Sequence, residues 1–201
     1  MSLNKLPVVA FMFLITLCNI KVVVGQPHLI RWAIQKNSTL NVAGQSNVNS
    51  FTCNISVAAQ KDTILCFSGP LNIVHLAGDM ELDVMAFNCH SGMITKDMQK
   101  TLKADQYPKM TIRFISLRSM PVLQGKTEVI YGWVEVNMAG VKKIFELHYT
   151  FLSKSSGYIE LNGTRSFNFS DFNLVPPRKF AGLVRIKDAF DVSFQLVLRP
   201  V

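Results

Sequence analysis

Cys89 and His90 are neighbours in the sequence and suggest a catalytic pair. A histidine close to a cysteine can activate the thiol as a nucleophile. Neighbouring residues on a β-strand point to opposite faces, so the two side chains would meet only if the strand had already ended. His75 and His148 each stand alone within segments of strand-like alternation, where a structural histidine is the simpler interpretation. We therefore predict no cysteine–histidine catalytic site.

Glu81 and Asp83 are the closest approach to a pair of catalytic carboxylates. Residues two apart share one face of a strand, and a solvated acidic face explains them without catalysis. The sequence contains no pattern typical of serine hydrolases, zinc peptidases, dithiol redox sites, P-loops or dinucleotide-binding turns. Its histidines and cysteines also lack the spacing of metal ligands. These observations predict a protein that is not an enzyme and that holds no metal or cofactor.

The N-terminus has the layout of a secretory signal peptide. Lys5 precedes an apolar run at 8–18, and Val23 and Gly25 occupy the −3 and −1 positions of a cleavage site. Asn19 and Lys21 interrupt the run before it reaches the roughly 20 apolar residues of a membrane-spanning helix. We predict a signal peptide at 1–25, a single domain at 26–201, and a location in the periplasm or outside the cell.

The net charge gives no indication of a nucleic-acid partner. The formal charge of the chain is +8, and removing Lys5 and Lys21 with the signal peptide leaves +6. The densest basic pairs are Lys142–Lys143 and Arg178–Lys179, and neither is interleaved with aromatic residues as a nucleic-acid-binding face would be. We interpret the excess of basic over acidic residues as a generally solvated basic surface.

Three cysteines follow the predicted cleavage site, namely Cys53, Cys66 and Cys89. Exported proteins can keep disulfides, but an odd number permits at most one pair within the chain. We predict the pair Cys53–Cys89 and a buried free thiol at Cys66, which lies in the apolar stretch TILCFSG. The sequence alone leaves the other two pairings open.

The rest of the chain alternates between apolar and polar residues with the period of β-strands. The clearest segments are 32–35, 51–56, 63–67, 71–76, 81–87, 110–117, 128–138, 142–152 and 191–199. Ala139–Gly140 predicts a hairpin turn, and the AGD triplet at 77–79 predicts a turn between the segments 71–76 and 81–87. Many short strands with one apolar face indicate an all-β antiparallel fold. The period does not decide between a sandwich and a barrel.

One charged, helix-forming run interrupts these strands at 88–110. Thr95 is suited to be the N-cap of a helix of two to three turns, and Met98 and Leu102 would share one face of it. Pro108 removes Tyr107 from helical geometry and so predicts the end of the helix. The small apolar stripe indicates that the helix covers something, and the open end of a barrel is the expected target.

Four blocks of the sequence resemble YceI-like proteins, especially a variant common in Bacteroidetes. They are WAIQKNSTLNVAGQSNVNSFTC, KDMQKTLKADQYPKMTIRF, GWVEVNMAGVKK and FNFSDFNLVPPRKFAGLVRIKDAFDVSFQLVL, in the order of the family. One departure is the segment Phe169-Ser170-Asp171-Phe172-Asn173, where better-known members carry an Arg-Ser-Asp-Phe-Gly-like segment.

The resemblance implies an antiparallel, eight-stranded, lipocalin-like β-barrel with a short helix near one end and an apolar cavity for a polyisoprenoid chain. An exported carrier or buffer of an isoprenoid, a quinone-like molecule or another long-chain lipid is the function it implies, with transient membrane contact and a homodimer left open. By alternation, the residues expected to line the cavity are Ile34, Phe51, Val84, Ile112, Phe114, Val134, Val136, Phe145, Leu147, Tyr149, Phe194 and Leu196. The alternative is an envelope protein with a filled barrel that binds a partner through its surface, for which Trp133 is the candidate contact.

Overall fold

The computed structural model of the chain describes residues 29–56, 63–69, 73–123 and 127–201. The predicted signal peptide at 1–25 lies outside the described residues. Within those residues, no helix combines the length and apolar character that crossing a bilayer requires.

The described residues form eleven β-strands and one α-helix. The strands are β1 (Leu29–Ile34), β2 (Thr39–Ser46), β3 (Ser50–Ser56), β4 (Thr63–Ser68), β5 (Val74–Asp83), β6 (Lys109–Leu117), β7 (Glu128–Met138), β8 (Val141–Ser153), β9 (Ile159–Asn168), β10 (Arg178–Lys179) and β11 (Val184–Pro200). The helix α1 spans Gly92–Thr101, and short 3-10 turns occur at Val84–Ala86, Phe169–Phe172 and Phe180–Gly182.

Eight of the strands close into an antiparallel barrel in the order β1, β4, β5, β6, β7, β8, β9 and β11, with β11 pairing back to β1. This confirms the predicted eight-stranded barrel with one short helix. Closure removes exposed sheet edges, and the alternation of large apolar residues supplies the core. On β8, for example, Phe145, Leu147, Tyr149 and Phe151 are all buried.

The wall of the barrel divides beside β11, which has two partners on one edge. Leu198–Pro200 pair with β1, whereas Ile186–Gln195 pair with β2. Between β1 and β2 the chain bends, and the buried Ser38 hydroxyl accepts a hydrogen bond of 2.9 Å from the backbone N–H of Val197. From this bend, β2 and its partner β3 continue the wall toward one end of the barrel, where no strand pairs with the far edge of β3 along its length within the described chain.

The gap beside β3 is closed by other means. A single backbone bridge joins Asn54 to Asn88, with both N–H···O distances 2.9 Å. The Sγ atoms of Cys53 and Cys89 form a disulfide at the same level. The helix α1 follows directly and buries Met98 against the barrel end. A covalent bond and a helix therefore replace the missing ladder of hydrogen bonds.

The helix differs at both ends from the sequence prediction. Its N-cap is Ser91 and not Thr95, whose hydroxyl instead accepts a hydrogen bond of 3.1 Å from the N–H of Cys89. The α-helix ends at Thr101, before Pro108, and turns fill residues 102–106. Lys103 takes a positive φ of 55° there, which turns the chain before the proline is reached.

The turn predicted at the AGD triplet 77–79 is wrong, because β5 runs through these residues with a register shift between His75 and Gly78. A Cβ at position 78 would lie 2.7 Å from the carbonyl oxygen of Thr63, so glycine permits this close approach of two backbones. The predicted turn at Ala139–Gly140 is present, and both residues have the positive φ of a two-residue hairpin.

Cys66 is a buried free thiol on β4, and its Sγ lies 3.6 Å from Sδ of Met120. Burial raises the pKa of this thiol to about 11, so it is protonated at neutral pH. Like the two disulfide cysteines, Cys66 is fully or almost fully buried. Cys66 is therefore a matched reference for the loss of a buried sulfur.

Replacing both Cys53 and Cys89 by alanine should lower the free energy of unfolding by about 3–4 kcal/mol more than the packing loss alone. The reason is that the disulfide closes a loop with a sequence separation of 36, which restricts the unfolded chain. Urea denaturation of the double variant measures this loss, and Cys66→Ala gives the packing loss for one buried sulfur. A double variant that loses no more than twice the effect of Cys66→Ala would contradict the proposed role of the cross-link.

Candidate ligand-binding cavity

An open groove of about 330 Å³, which we call the mouth, lies between the β2–β3 turn, α1 and the segment leading into β11. Its walls are largely apolar and include Phe51 from β3, Ile94 and Met98 from α1, and Ile186 from β11. The volume is within the range of small-molecule sites, about 300–1,000 Å³. The mouth is thus a largely apolar space at the helix-capped end of the barrel.

Beneath the mouth is a smaller space of about 50 Å³, the inner cavity. Met98 and Phe169 border both spaces, so only these side chains and their neighbours separate them. Every residue that borders the inner cavity is apolar, and they are Leu40, Val42, Phe87, Met98, Leu102, Met110, Ile112, Val136, Met138, Phe167, Phe169, Phe172, Phe190 and Val192. Met98 and Leu102 thereby form the predicted apolar stripe of the helix over the barrel end.

A third space of about 40 Å³, the deep cavity, continues into the barrel. Leu40, Ile112, Val136, Phe167 and Val192 border both the inner and the deep cavities. The three spaces therefore follow one another from the mouth to the middle of the barrel and share side-chain walls. This series is the apolar route that the fold offers to an elongated molecule.

The predicted lining residues divide into four groups in the structure, according to the space that they border. Ile112 and Val136 border both enclosed cavities; Phe114, Val134, Leu147, Phe194 and Leu196 border the deep cavity; and Phe51 borders the mouth. Ile34, Val84, Phe145 and Tyr149 border none of these three spaces and are buried in the surrounding core. Val84 lies in a 3-10 turn and not on a strand as its alternation suggested.

Sequence reasoning missed several residues that border the inner cavity, chiefly Leu40 and Val42 on β2, Phe167 on β9 and Phe190 on β11. These positions fall in strands, or parts of strands, that the alternation analysis did not recognise. The alternation of Leu40 with Val42 and of Phe167 with Phe169 was the available signal, and the polar residues around both pairs obscured it.

Three buried polar atoms have no hydrogen-bond partner in the described part of the chain, and they are Nε1 of Trp32, the Tyr149 hydroxyl and Nε of Arg165. Burial raises the pKa of Tyr149 well above its ordinary value, so the phenol stays neutral. Its ring lies against Gly132, where a Cβ would come within 2.7 Å of Cε2 of Tyr149.

An ion pair spans the mouth. Nζ of Lys179, on β10, lies 2.7 Å from Oδ1 of Asp97, on α1, and both residues border the mouth. Its side chains are partly exposed, so the pair contributes little stability, of the order of 0–1 kcal/mol. A weak pair of this kind ties the helix to the opposite side of the groove without locking it.

The histidines and cysteines of the sequence raised two kinds of site, a cysteine–histidine pair and a metal site, and the described residues form neither. Cys89 is engaged in the disulfide and has no free thiol to pair with His90. Among residues 29–56, 63–69, 73–123 and 127–201, no group of three or more histidine, cysteine or acidic residues is placed to hold a metal ion. The predicted surface residue Trp133 is exposed on the outer face of β7, as are Val129 and Tyr131.

A closed antiparallel barrel with an apolar interior and a helix over one end defines the structural class of this protein. The chain belongs to the family described as the YceI-like domain, whose model matches residues 29–198. The family prediction made from the four sequence blocks is therefore confirmed. A search of curated proteins finds no match.

Two solved structures similar to this chain have the same fold. A polyisoprenoid binding domain from Saccharophagus degradans, implicated in plant cell wall breakdown, is 14% identical, with a TM-score of 0.62 over 86% of this chain and 99% of that one. BcnA from Burkholderia cenocepacia is 15% identical, with a TM-score of 0.56 over 80% of this chain and 95% of that one. At such identities the likeness concerns the fold.

Proposed function

We propose that this protein is an exported carrier or buffer of a polyisoprenoid or another long-chain amphiphile. The observation that carries the proposal is the series of apolar spaces from the mouth through the inner cavity to the deep cavity. Membership of the YceI-like family supports it, and so does the polyisoprenoid binding named for the similar Saccharophagus domain. In this proposal the tail lies along the barrel axis and α1 covers it.

Burial of the tail supplies the binding energy in this mechanism. Each buried methylene contributes about 0.8 kcal/mol, so a five-carbon isoprene unit contributes about 4 kcal/mol before the cost of ordering the chain. The enclosed cavities of about 50 and 40 Å³ are narrower than such a tail, so side chains must move as it enters. Met98, Met110 and Met138 border the inner cavity, and unbranched methionine side chains rearrange at low cost.

Export is part of the proposal, with the periplasm or the extracellular space as the location. The signal-peptide layout at 1–25 is the first support. The Cys53–Cys89 disulfide is the second, because disulfides persist in oxidising compartments and are rare in the cytosol. A hydrophobic molecule that crosses such an aqueous compartment needs a protein to cover it.

A change that fills the inner and deep cavities should weaken ligand binding strongly. Ile112→Trp places an indole between the inner and deep cavities, and we expect the affinity for geranylgeraniol to fall about tenfold or more because the tail loses its route. Displacement of a fluorescent naphthylamine probe measures the affinity, and thermal melting confirms that each variant is folded.

Val129→Trp is the matched control, since Val129 is exposed on the outer face of β7 and should leave the affinity unchanged. Equal binding by the wild type, Ile112→Trp and Val129→Trp would show that the ligand lies elsewhere than in the barrel.

We further propose that the mouth is the end that touches a membrane during lipid exchange. Phe180 and Leu183 are 69% and 76% exposed, and Val48 and Met93 beside them are also exposed. Asn47, in the β2–β3 turn, is hydrogen-bonded to the segment around Leu183. Its Nδ2 donates to the Leu183 carbonyl oxygen, and its Oδ1 accepts from the N–H of Arg185. Basic side chains at the same end, which are Arg178, Lys179, Arg185 and Lys187, suit the anionic surface of a lipid bilayer.

Replacing Phe180 and Leu183 together by serine should therefore reduce association with vesicles that contain anionic phosphatidylglycerol. A flotation assay measures the bound fraction, and a matched double variant, Val129→Ser with Ile144→Ser, removes exposed apolar side chains from the barrel wall instead. We expect the serine variant of Phe180 and Leu183 to bind several-fold less to the vesicles. The barrel-wall variant should bind as much as the wild type. The same loss in both variants would contradict docking through the mouth.

A second candidate is a protein whose barrel is filled and whose surface binds a partner or a second copy. The exposed row Val129, Tyr131 and Trp133 favours it, since outward residues of β7 are elsewhere polar at Glu135 and Asn137. The probe displacement assay separates the two candidates, because a filled barrel predicts no saturable displacement by any long-chain alcohol.

A further inference from the structure

Arg165 is a cationic residue in an otherwise apolar position. It lies on β9 between Gly163 and Phe167, which both face the interior, and the period of a strand turns its side chain the same way. Among the described residues that border the deep cavity, it is the one with a charge. Its Nε atom is buried.

The surroundings of the guanidinium hold it in one orientation. Nη1 donates a hydrogen bond of 2.6 Å to the backbone carbonyl of Glu146. The guanidinium carbon lies 4.8 Å from the ring centroid of Phe145 and 5.6 Å from that of Phe167, which is the distance of cation–π contacts. A side chain fixed by a carbonyl and two rings is pre-organised to present its remaining N–H groups.

The positive charge has no carboxylate partner within the described part of the chain. The carboxylate of the adjacent Glu146 pairs with Arg118 at 2.8 Å, and Arg165 takes part in no ion pair there. Nε of Arg165 also has no hydrogen-bond acceptor among these residues. A buried N–H group without a partner is costly, so native proteins seldom keep one without a reason.

The guanidinium edge of Arg165 that carries the unpaired Nε is suited to the oxygen atoms of a carboxylate. Arg113 on the outer wall shows what such an edge binds, because its Nε and Nη2 donate to the two carboxylate oxygens of Asp79 at 2.8 and 2.9 Å. The deep cavity of about 40 Å³ corresponds to about three water-sized spheres, which matches the three heavy atoms of a carboxylate.

We propose that Arg165 is the head-group site of the barrel and that it binds the carboxylate of a long-chain carboxylic acid inserted head first. The tail runs back from the deep cavity through the inner cavity toward the mouth. This inference rests on the proposed carrier function and specifies its ligand class. No covalent step is involved, and the carboxylate supplies the counter-charge and the acceptor that Arg165 lacks.

The test compares palmitic acid with hexadecanol, which has the same number of carbons and no charge. The naphthylamine displacement assay is run at pH 7.5 on the wild type, on Arg165→Met, which keeps an unbranched stem but removes the charged guanidinium, and on Arg113→Met as the matched control on the outer wall. We expect the wild type to prefer palmitate about tenfold or more, as charge-assisted hydrogen bonds do. Arg165→Met should lose this preference while still binding hexadecanol, and Arg113→Met should keep it.

The outcomes separate this inference from the carrier function. Binding of hexadecanol without a palmitate preference in the wild type, or a preference that survives in Arg165→Met, overturns the head-group site and leaves the carrier function standing. Binding of neither ligand by the folded wild type overturns both. Equal loss of both ligands in a folded Arg165→Met would assign Arg165 a structural role and overturn the site.

A second measurement on the wild type removes any dependence on a folded variant. Palmitate labelled with ¹³C at the carboxyl carbon is bound, and its chemical shift is followed as the pH falls. A carboxylate on the guanidinium should have a pKa well below that of an exposed carboxyl group, because a neighbouring positive charge favours the ionised form. A shift that titrates in the ordinary carboxylate range places the head group in water and contradicts the proposal.

Discussion

The pairing of β11 with two different strands is the constraint on which the rest of this structure depends. A buried backbone must have its N–H and C=O groups paired, and a closed barrel achieves this by joining its first and last strands. Here three residues of β11 pair with β1 and a longer part of β11 pairs with β2, so the barrel is fully closed at one end only. At the other end no strand of the described chain pairs along the far edge of β3, and the Asn54–Asn88 bridge, the Cys53–Cys89 disulfide and α1 take the place of a strand ladder.

This division explains why the mouth lies where it does. A helix held by side-chain packing, one disulfide and a partly exposed ion pair can move more easily than a strand held by a hydrogen-bond ladder on each side. The inner cavity adjoins that helix through Met98 and Leu102, and the deep cavity adjoins the inner one through Ile112 and Val136. The weakest part of the wall therefore covers the apolar route, which is the arrangement that ligand exchange requires.

Sequence patterns predicted the parts of the fold in which local signals agreed. The long alternation of β7 and β8, joined by the turn at Ala139–Gly140, could be read directly, and the family blocks supplied the number of strands. The pattern failed at β2 and β9, where Gly44, Gln45, Asn162 and Gly163 interrupt the alternation although cross-strand pairing holds these residues in the sheet. A glycine at position 78 resembles a turn in sequence, yet it serves the close contact of two strands.

The interior of the site was harder to predict than the barrel. Alternation identifies which residues face inward, but it does not show which of them border a space and which simply fill the core, and this is why Phe145 and Tyr149 could not be distinguished from Leu147. Arg165 escaped prediction for the opposite reason, since a charged residue is ordinarily assigned to the outer face. Only the three-dimensional arrangement of Phe145, Phe167 and the Glu146 carbonyl shows how an inward guanidinium is accommodated.

The most direct test of the carrier function is solvent extraction of the protein purified from its own source, followed by mass spectrometry of the extract. The account predicts a long-chain amphiphile, isoprenoid or linear, in an amount close to one molecule per protein chain. Repeated recovery of well-folded protein with no such molecule in the extract would contradict it and favour the filled-barrel interaction protein.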